Sequence, residues 1–262
     1  MKKYWFVFKT SVQQQLIYPV EFVIYTFVEV IYFTIFPFVW LSVYASGGQV
    51  TGYSKTEIIS YYIAVTFTIL FTSTYVSNQI RQDIHRGNLN HYLARPNNYL
   101  FFRFINVLAQ NYISLVVAAI ILIIAKFIFT INSPNSLTSL LIFAAFTVIA
   151  FLMAFFLQAI LGLATFWTGE NSSLRNLYYL IFSVFTGELA PLSLFPNYLK
   201  KTAELLPFKF MIYVPAQAFL KKISIPELAG LFGSALIWLV VLFLIMIFIW
   251  YKGIKTYEGK GA

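Results

Sequence analysis

Few residues in this chain are equipped for bond-making chemistry. Its two histidines, His85 and His91, lie six residues apart in one polar connection, and there is no cysteine. That leaves no His-Glu-x-x-His metal helix, no Gly-x-Ser-x-Gly nucleophile elbow and no thiolate for catalysis or for a zinc or iron–sulfur site. Gly47 and Gly52 have the spacing of a phosphate-binding loop, but Tyr53 stands where its lysine would follow. The chain is therefore expected to be no enzyme, to bind no metal and to hold no nucleotide or other cofactor of its own.

The polar groups that remain sit inside apolar sequence. Glu29 is near the middle of the first apolar run, where a carboxylate costs a few kcal/mol unless it is protonated, paired or facing water. Asn106, Gln110, Asn111 and Ser114 fall at intervals of four, one and three residues, which gathers them on one side of a helix. Such a stripe either hydrogen-bonds to a neighbouring helix or lines a cavity. Gln158 and Thr165 belong to the same kind of seam. Glu29, Asn106, Gln110, Asn111 and Gln158 are thus the candidate pathway residues.

The elements that must position these groups follow from composition. The chain has 262 residues, 60% hydrophobic and 10% charged, against roughly 45–50% and 25% in a soluble domain. It is an integral membrane protein. Six apolar runs approach the roughly 20 residues that cross a bilayer: 20–44, 58–77, 104–129, 137–166, 174–195 and 228–251. Stretches such as Ala118–Ile124 are apolar on every side, so the spans are helices and not barrel strands. The expected fold is all-α, a single transmembrane domain over 1–262 with the fifth span irregular.

The net charge of +9 sits between these runs and reads as a topology signal, with no nucleic-acid partner implied. With the N-terminus inside, eleven Lys and Arg fall in cytoplasmic segments and six in outer ones, which predicts cytoplasmic termini. No secretory leader is expected, because the first apolar run is too long for one.

Three segments are more than spans or slack loops. Tyr4–Tyr18 mixes Trp5, Phe6 and Phe8 with Lys9 and glutamines, which suits an amphipathic helix in the headgroup layer or a plain basic leader. In the connection 79–96, Ile80 and Ile84 share a helical face with Arg81, Asp83 and Arg86 around it. Gly87 ends the turn, and Leu89, Tyr92 and Leu93 start a second short piece before Arg95 and Pro96. This segment suits docking onto a cytosolic partner, with the charges orienting it and Ile84 and Leu89 filling an apolar groove; its alternative is a basic loop on anionic lipid. Finally Gly187, Glu188, Pro191 and Pro196 interrupt apolar sequence, so 187–215 is expected as a re-entrant hairpin and partly buried outer cap, or else an interfacial loop.

With these stretches in view the chain resembles the membrane subunits of ABC-2 type transporters. The resemblance rests on Ile84-His-Arg-Gly-Asn-Leu89 with Leu93-Ala-Arg-Pro96, and on Gly187-Glu-Leu-Ala-Pro-Leu-Ser-Leu-Phe-Pro196 with Leu206-Pro-Phe208, in this order within six spans. It implies a bacterial cell-membrane permease with a coupling helix in 79–96 and a gate around Gly187, Glu188, Pro191 and Pro196. It implies a cytosolic ABC ATPase dimer that holds the ATP and Mg, a second permease subunit, identical or different, and surrounding lipid. Export of an amphipathic or hydrophobic drug, lipid or glycan is the expected activity. The rival expectations are a proton-coupled secondary transporter using Glu29 and a non-transporting scaffold or immunity protein.

Overall fold

The computed structural model describes residues 2–257 except 18, 49, 95–97, 129–133 and 135. Every regular element among them is helical: α1 Lys2–Ile17, α2 Pro19–Ala45, α3 Lys55–Thr72, α4 Val76–His85, α5 Leu89–Leu93 and α6 Tyr99–Ile128, followed by α7 Leu137–Leu163, α8 Thr165–Thr168, α9 Ser172–Phe185, α10 Asn197–Leu205, α11 Tyr213–Phe219 and α12 Ile225–Thr256. Among the described residues four stretches are long and apolar enough to cross a membrane: Lys55–His85, Tyr99–Ile124, Leu137–Thr168 and Pro226–Thr256. The expected first span falls on α2, a 27-residue helix of which twelve side chains lie outside the described set. The fifth differs from expectation. Its helix, α9, has 14 residues and reaches about 21 Å, short of a bilayer core of about 30 Å.

Local chemistry sets several boundaries. Ser54 and Glu57 form a reciprocal capping box at the start of α3, and Ser224 and Glu227 do the same for α12. Each satisfies backbone N–H groups that an unformed preceding turn would leave bare. Gly87, at φ +72°, turns the chain between α4 and α5, as its position in the sequence predicts.

α7 is the central post, packed against α3, α4, α11 and α12. Its side chains Phe146, Met153, Ala159 and Leu163 are wholly enclosed. Around it lie two apolar clusters. One, at what we term the cap end, joins Ile58, Tyr61 and Tyr62 of α3 to Phe143 and Phe146 of α7 and to Phe210, Ile212 and Phe219. The other, at the α5 end, joins Ile80, Ile84 and Leu89 to Leu100, Phe155, Leu163 and Met246. α1 lies along α6, fixed by a hydrogen bond from Ser11 Oγ to Asn106 Oδ1 (2.7 Å) and an edge contact of Tyr4 with Phe101. Its Trp5 and Phe6 stay two-thirds exposed beside Lys2, Lys3 and Lys9, the mixture expected of a helix in a headgroup layer.

Candidate functional site

α4 follows α3 after a break at Ser73-Thr74-Tyr75, within the one long apolar stretch Lys55–His85. In the last turn before such a break carbonyls lose their helical donors. Asn111 of α6 supplies one, its Nδ2 donating to the Phe71 carbonyl. Beyond the break α4 is clamped to α7. At Gly162 an added Cβ would lie 2.8 Å from Ile80 Cβ and 2.9 Å from the Ser77 carbonyl, so only glycine admits this approach. Asn171 Nδ2 spans the same junction, donating to Ser77 Oγ at 3.2 Å and to the Leu161 carbonyl at 3.1 Å.

A buried ionic cluster fastens the other side. Arg103 of α6 donates to the Asp83 carboxylate, and so does the Tyr99 hydroxyl; Arg103 Nε also reaches Tyr99 Oη at 3.3 Å. Asp83, Tyr99 and Arg103 are all at least nine-tenths buried. Tyr99 stacks on Trp250 of α12 with ring centroids 5.2 Å apart, which ties the cluster to the last span. On the open side Arg81 pairs with Glu170 at 3.1 Å. The Asn171 N–H, then the Arg81 charge and the Ser172 N–H, hold Glu170 below the usual carboxylate range.

This arrangement corrects part of the sequence expectation. Ile80, Ile84 and Leu89 are 0%, 7% and 0% exposed and fill this chain's own core, so Ile84 and Leu89 have no free surface for a partner's groove. Asp83 likewise answers Arg103 and is no docking charge. An amphipathic pattern states that one face is apolar; it does not state whose apolar surface meets it. Arg86 and Leu93 are exposed, Arg81 is half-buried and Gly87 is buried in the turn. Arg95 and Pro96 lie outside the described residues. A recess of about 270 Å³ opens at this end, lined by Asp83, Asn88, His91 and Tyr92.

At the cap end the expected interruption is real. Gly187 takes φ +84°, and a Cβ there would sit 2.8 Å from Tyr61 Oη. The chain then runs through a single 3-10 turn at Leu192–Leu194, α10, a second 3-10 turn at Pro207–Phe210, and α11. Pro191 is buried ahead of the first turn and Pro196 precedes α10. Irregular backbone in an apolar setting needs donors for its carbonyls, and tyrosines provide them. Tyr61 donates to the Gly187 carbonyl at 2.6 Å and Tyr62 to the Leu189 carbonyl at 2.7 Å. Trp40 Nε1 of α2 donates to Tyr62 Oη at 2.6 Å. Tyr53 Oη accepts from Gln217 Nε2 at 2.6 Å and from Ser193 Oγ at 3.2 Å.

Between the two ends lies a cavity of about 440 Å³, formed by α2, the Ser73–Tyr75 break, α7, α9 and Glu188. Of the pathway candidates whose side chains are described it takes Gln158 alone, and it adds Glu188, which was expected at a gate. Asn106 and Asn111 make the interhelical bonds already described and do not line it, and Gln110 is half-buried on α6. The Glu29 side chain lies outside the described residues. The sequence reading missed Tyr53, Tyr61, Tyr62, Tyr99, Asn171 and Gln217. The signal for the four tyrosines was their density at span ends, which interfacial anchoring explains equally well; Asn171 and Gln217 carried none.

No group of three or more His, Cys, Asp and Glu among the described residues is placed to hold a metal ion. What the geometry presents is a multi-pass helical membrane protein: a helical end clamped to its spans, an irregular cap at the opposite end, and a cavity between them. The model of the family described as ABC-2 family transporter protein matches residues 29–261, and the chain belongs to that family. It is the membrane permease component of an ABC transporter. No curated protein matches it at a significant level.

Proposed function

We propose that this chain is the membrane subunit of an ATP-driven exporter in the bacterial cell membrane. In this reading six spans, counting α2 and the short α9, carry an amphipathic or hydrophobic drug, lipid or glycan outward, with both termini cytoplasmic. Two cytosolic ATPase subunits bind at the α5 end, and a second permease subunit completes the pathway. ATP and Mg reside on the ATPase, whose closure supplies the force.

One observation carries the mechanism: the docking end and the cavity share a structural part. α5 and α4 form one tethered end, and the break that starts α4 contributes Ser73, Thr74 and Tyr75 to the cavity wall. A push on α5 is transmitted by α4, because buried Ile80, Ile84 and Leu89 and the Asp83–Arg103 pair leave that end little freedom to yield alone. The wall then moves with it. Exposed Arg86, His91 and Leu93, around the Asn88–His91 recess, form the contact surface. The Gly187–Pro196 hairpin closes the opposite end.

Purification in mild detergent from the native host tests the reading. Stoichiometric recovery of an ATPase is expected, and Arg86→Glu should abolish it while leaving the permease folded. Recovery of the chain with no ATPase, under conditions that keep other transporter complexes whole, would sink the proposal.

A further inference from the structure

The cavity at the Ser73–Tyr75 break contains two polar side chains whose needs the chain does not meet. Glu188 is 8% exposed and lines the cavity, yet its carboxylate has no hydrogen-bond or ion-pair partner among the described residues. Gln158, 4% exposed, lines the same wall, and its Oε1 is buried without a partner. The described lining contains no Lys, Arg or His. Both unpaired groups are acceptors, and the described lining offers neutral hydroxyl donors but no cationic one. An isolated carboxylate in apolar surroundings is costly, and a positive charge is the partner that removes the cost.

The rest of the wall points the same way. Tyr178, Tyr179 and Phe182 line one side, with the Tyr178 and Phe182 ring centroids 5.5 Å apart, and aromatic faces attract cations. Ile69 and Ala154 add apolar surface. A volume of about 440 Å³ suits a small organic molecule and far exceeds a bare metal ion, which would require several converging oxygens. An anionic ligand would be repelled by Glu188, and a neutral one offers at most a hydrogen bond and no counter-charge.

We propose that this cavity binds the protonated head of an amphipathic amine, with Glu188 as counter-ion, Gln158 as a second acceptor and the Tyr178–Phe182 side as an aromatic wall. That the amine is cargo rests on the export reading above. That it binds is a property of this chain alone.

The test uses the full chain in lipid nanodiscs without an ATPase, and two probes that share one tail, radiolabelled dodecylamine and dodecanol. Binding is counted over that of empty nanodiscs. Dodecylamine should bind at least about tenfold more tightly than dodecanol, as expected for a charged hydrogen bond. Glu188→Gln should remove about that factor for dodecylamine and leave dodecanol unchanged, while Glu188→Asp keeps most of the preference. Equal affinity of the two probes for the unaltered chain would overturn the proposal, however the variants fold. So would a Glu188→Gln variant that keeps the preference, or one that loses both probes alike. Failure of the export reading would appear elsewhere, as a native complex without an ATPase, and would leave the binding result standing.

Discussion

The α5 end and the cap end both fasten interrupted helix to a neighbouring span, α6 at the first and α3 at the second, but with different chemistry. At the α5 end the fastening is ionic: Asp83, Arg103 and Tyr99 are buried together. At the cap end it is neutral, with Tyr61 and Tyr62 donating to the Gly187 and Leu189 carbonyls. The difference follows from what each end must satisfy. A cap made of irregular backbone exposes carbonyls, and a phenol is a donor that brings no charge to desolvate. A regular helix such as α4 satisfies its own backbone, so a tether between side chains suffices, and an ion pair gives a strong, directional one. Irregular backbone thus selects neutral donors, while regular helix leaves room for charge.

The most damaging way to break this comparison is to remove one member of the ionic tether. Arg103→Leu leaves Asp83 buried and unpaired and is expected to cost about 3–5 kcal/mol, seen as a large fall in thermal midpoint in detergent. The double variant Asp83→Leu with Arg103→Leu should recover most of it; no recovery would mean that the pair is more than an ion pair. Gly162→Ala tests the clamp of α4 on α7. Its Cβ meets backbone at 2.9 Å, so a loss of about 1–3 kcal/mol is expected, and unchanged stability would show that α4 can lift from α7.

The neutral end should respond less. Tyr61→Phe removes one donor from a buried carbonyl, with an expected loss of about 1–3 kcal/mol by the same thermal assay. A loss as large as that of Arg103→Leu would erase the distinction between the ends. Smallest of all, Arg86→Glu should change stability by less than about 0.5 kcal/mol, since its side chain is exposed, while abolishing ATPase recovery. Acidification adds a final contrast. The folded Glu170 carboxyl is held below its ordinary range, so its bond to Arg81 is present above that range and is lost only as pH falls through the depressed value. Protection of the Asn171 amide, taken relative to the intrinsic exchange rate at each pH, should hold at neutral pH and fall only in strong acid.

How much of this was legible beforehand differs between the two ends. The cap could be read because Gly187, Pro191 and Pro196 act on their own backbone, and a local rule needs no knowledge of neighbours. Gly87 was legible for the same reason. Four spans were visible as apolar runs and recur as long apolar helices, while α9 stops at Phe185, before the interruption that defined its expected end. The ionic tether was not legible. Asp83 and Arg103 are twenty residues apart, and a charged residue on an amphipathic segment looks alike whether it faces water or a buried partner. The cavity was hidden further still, since Thr72, Gln158, Tyr178 and Glu188 come from separate elements and meet only when those elements pack.

The bond from Asn111 to the Phe71 carbonyl carries a consequence for the history of the family. An interruption of the second span is tolerated here because an amide on a different helix serves the carbonyl it frees. Neither half of that arrangement is useful alone: the amide without the break is an idle polar group in the membrane, and the break without the amide is a bare carbonyl. The two positions are therefore expected to change together across lineages. Members that have lost a donor at the place of Asn111 should carry an unbroken second span.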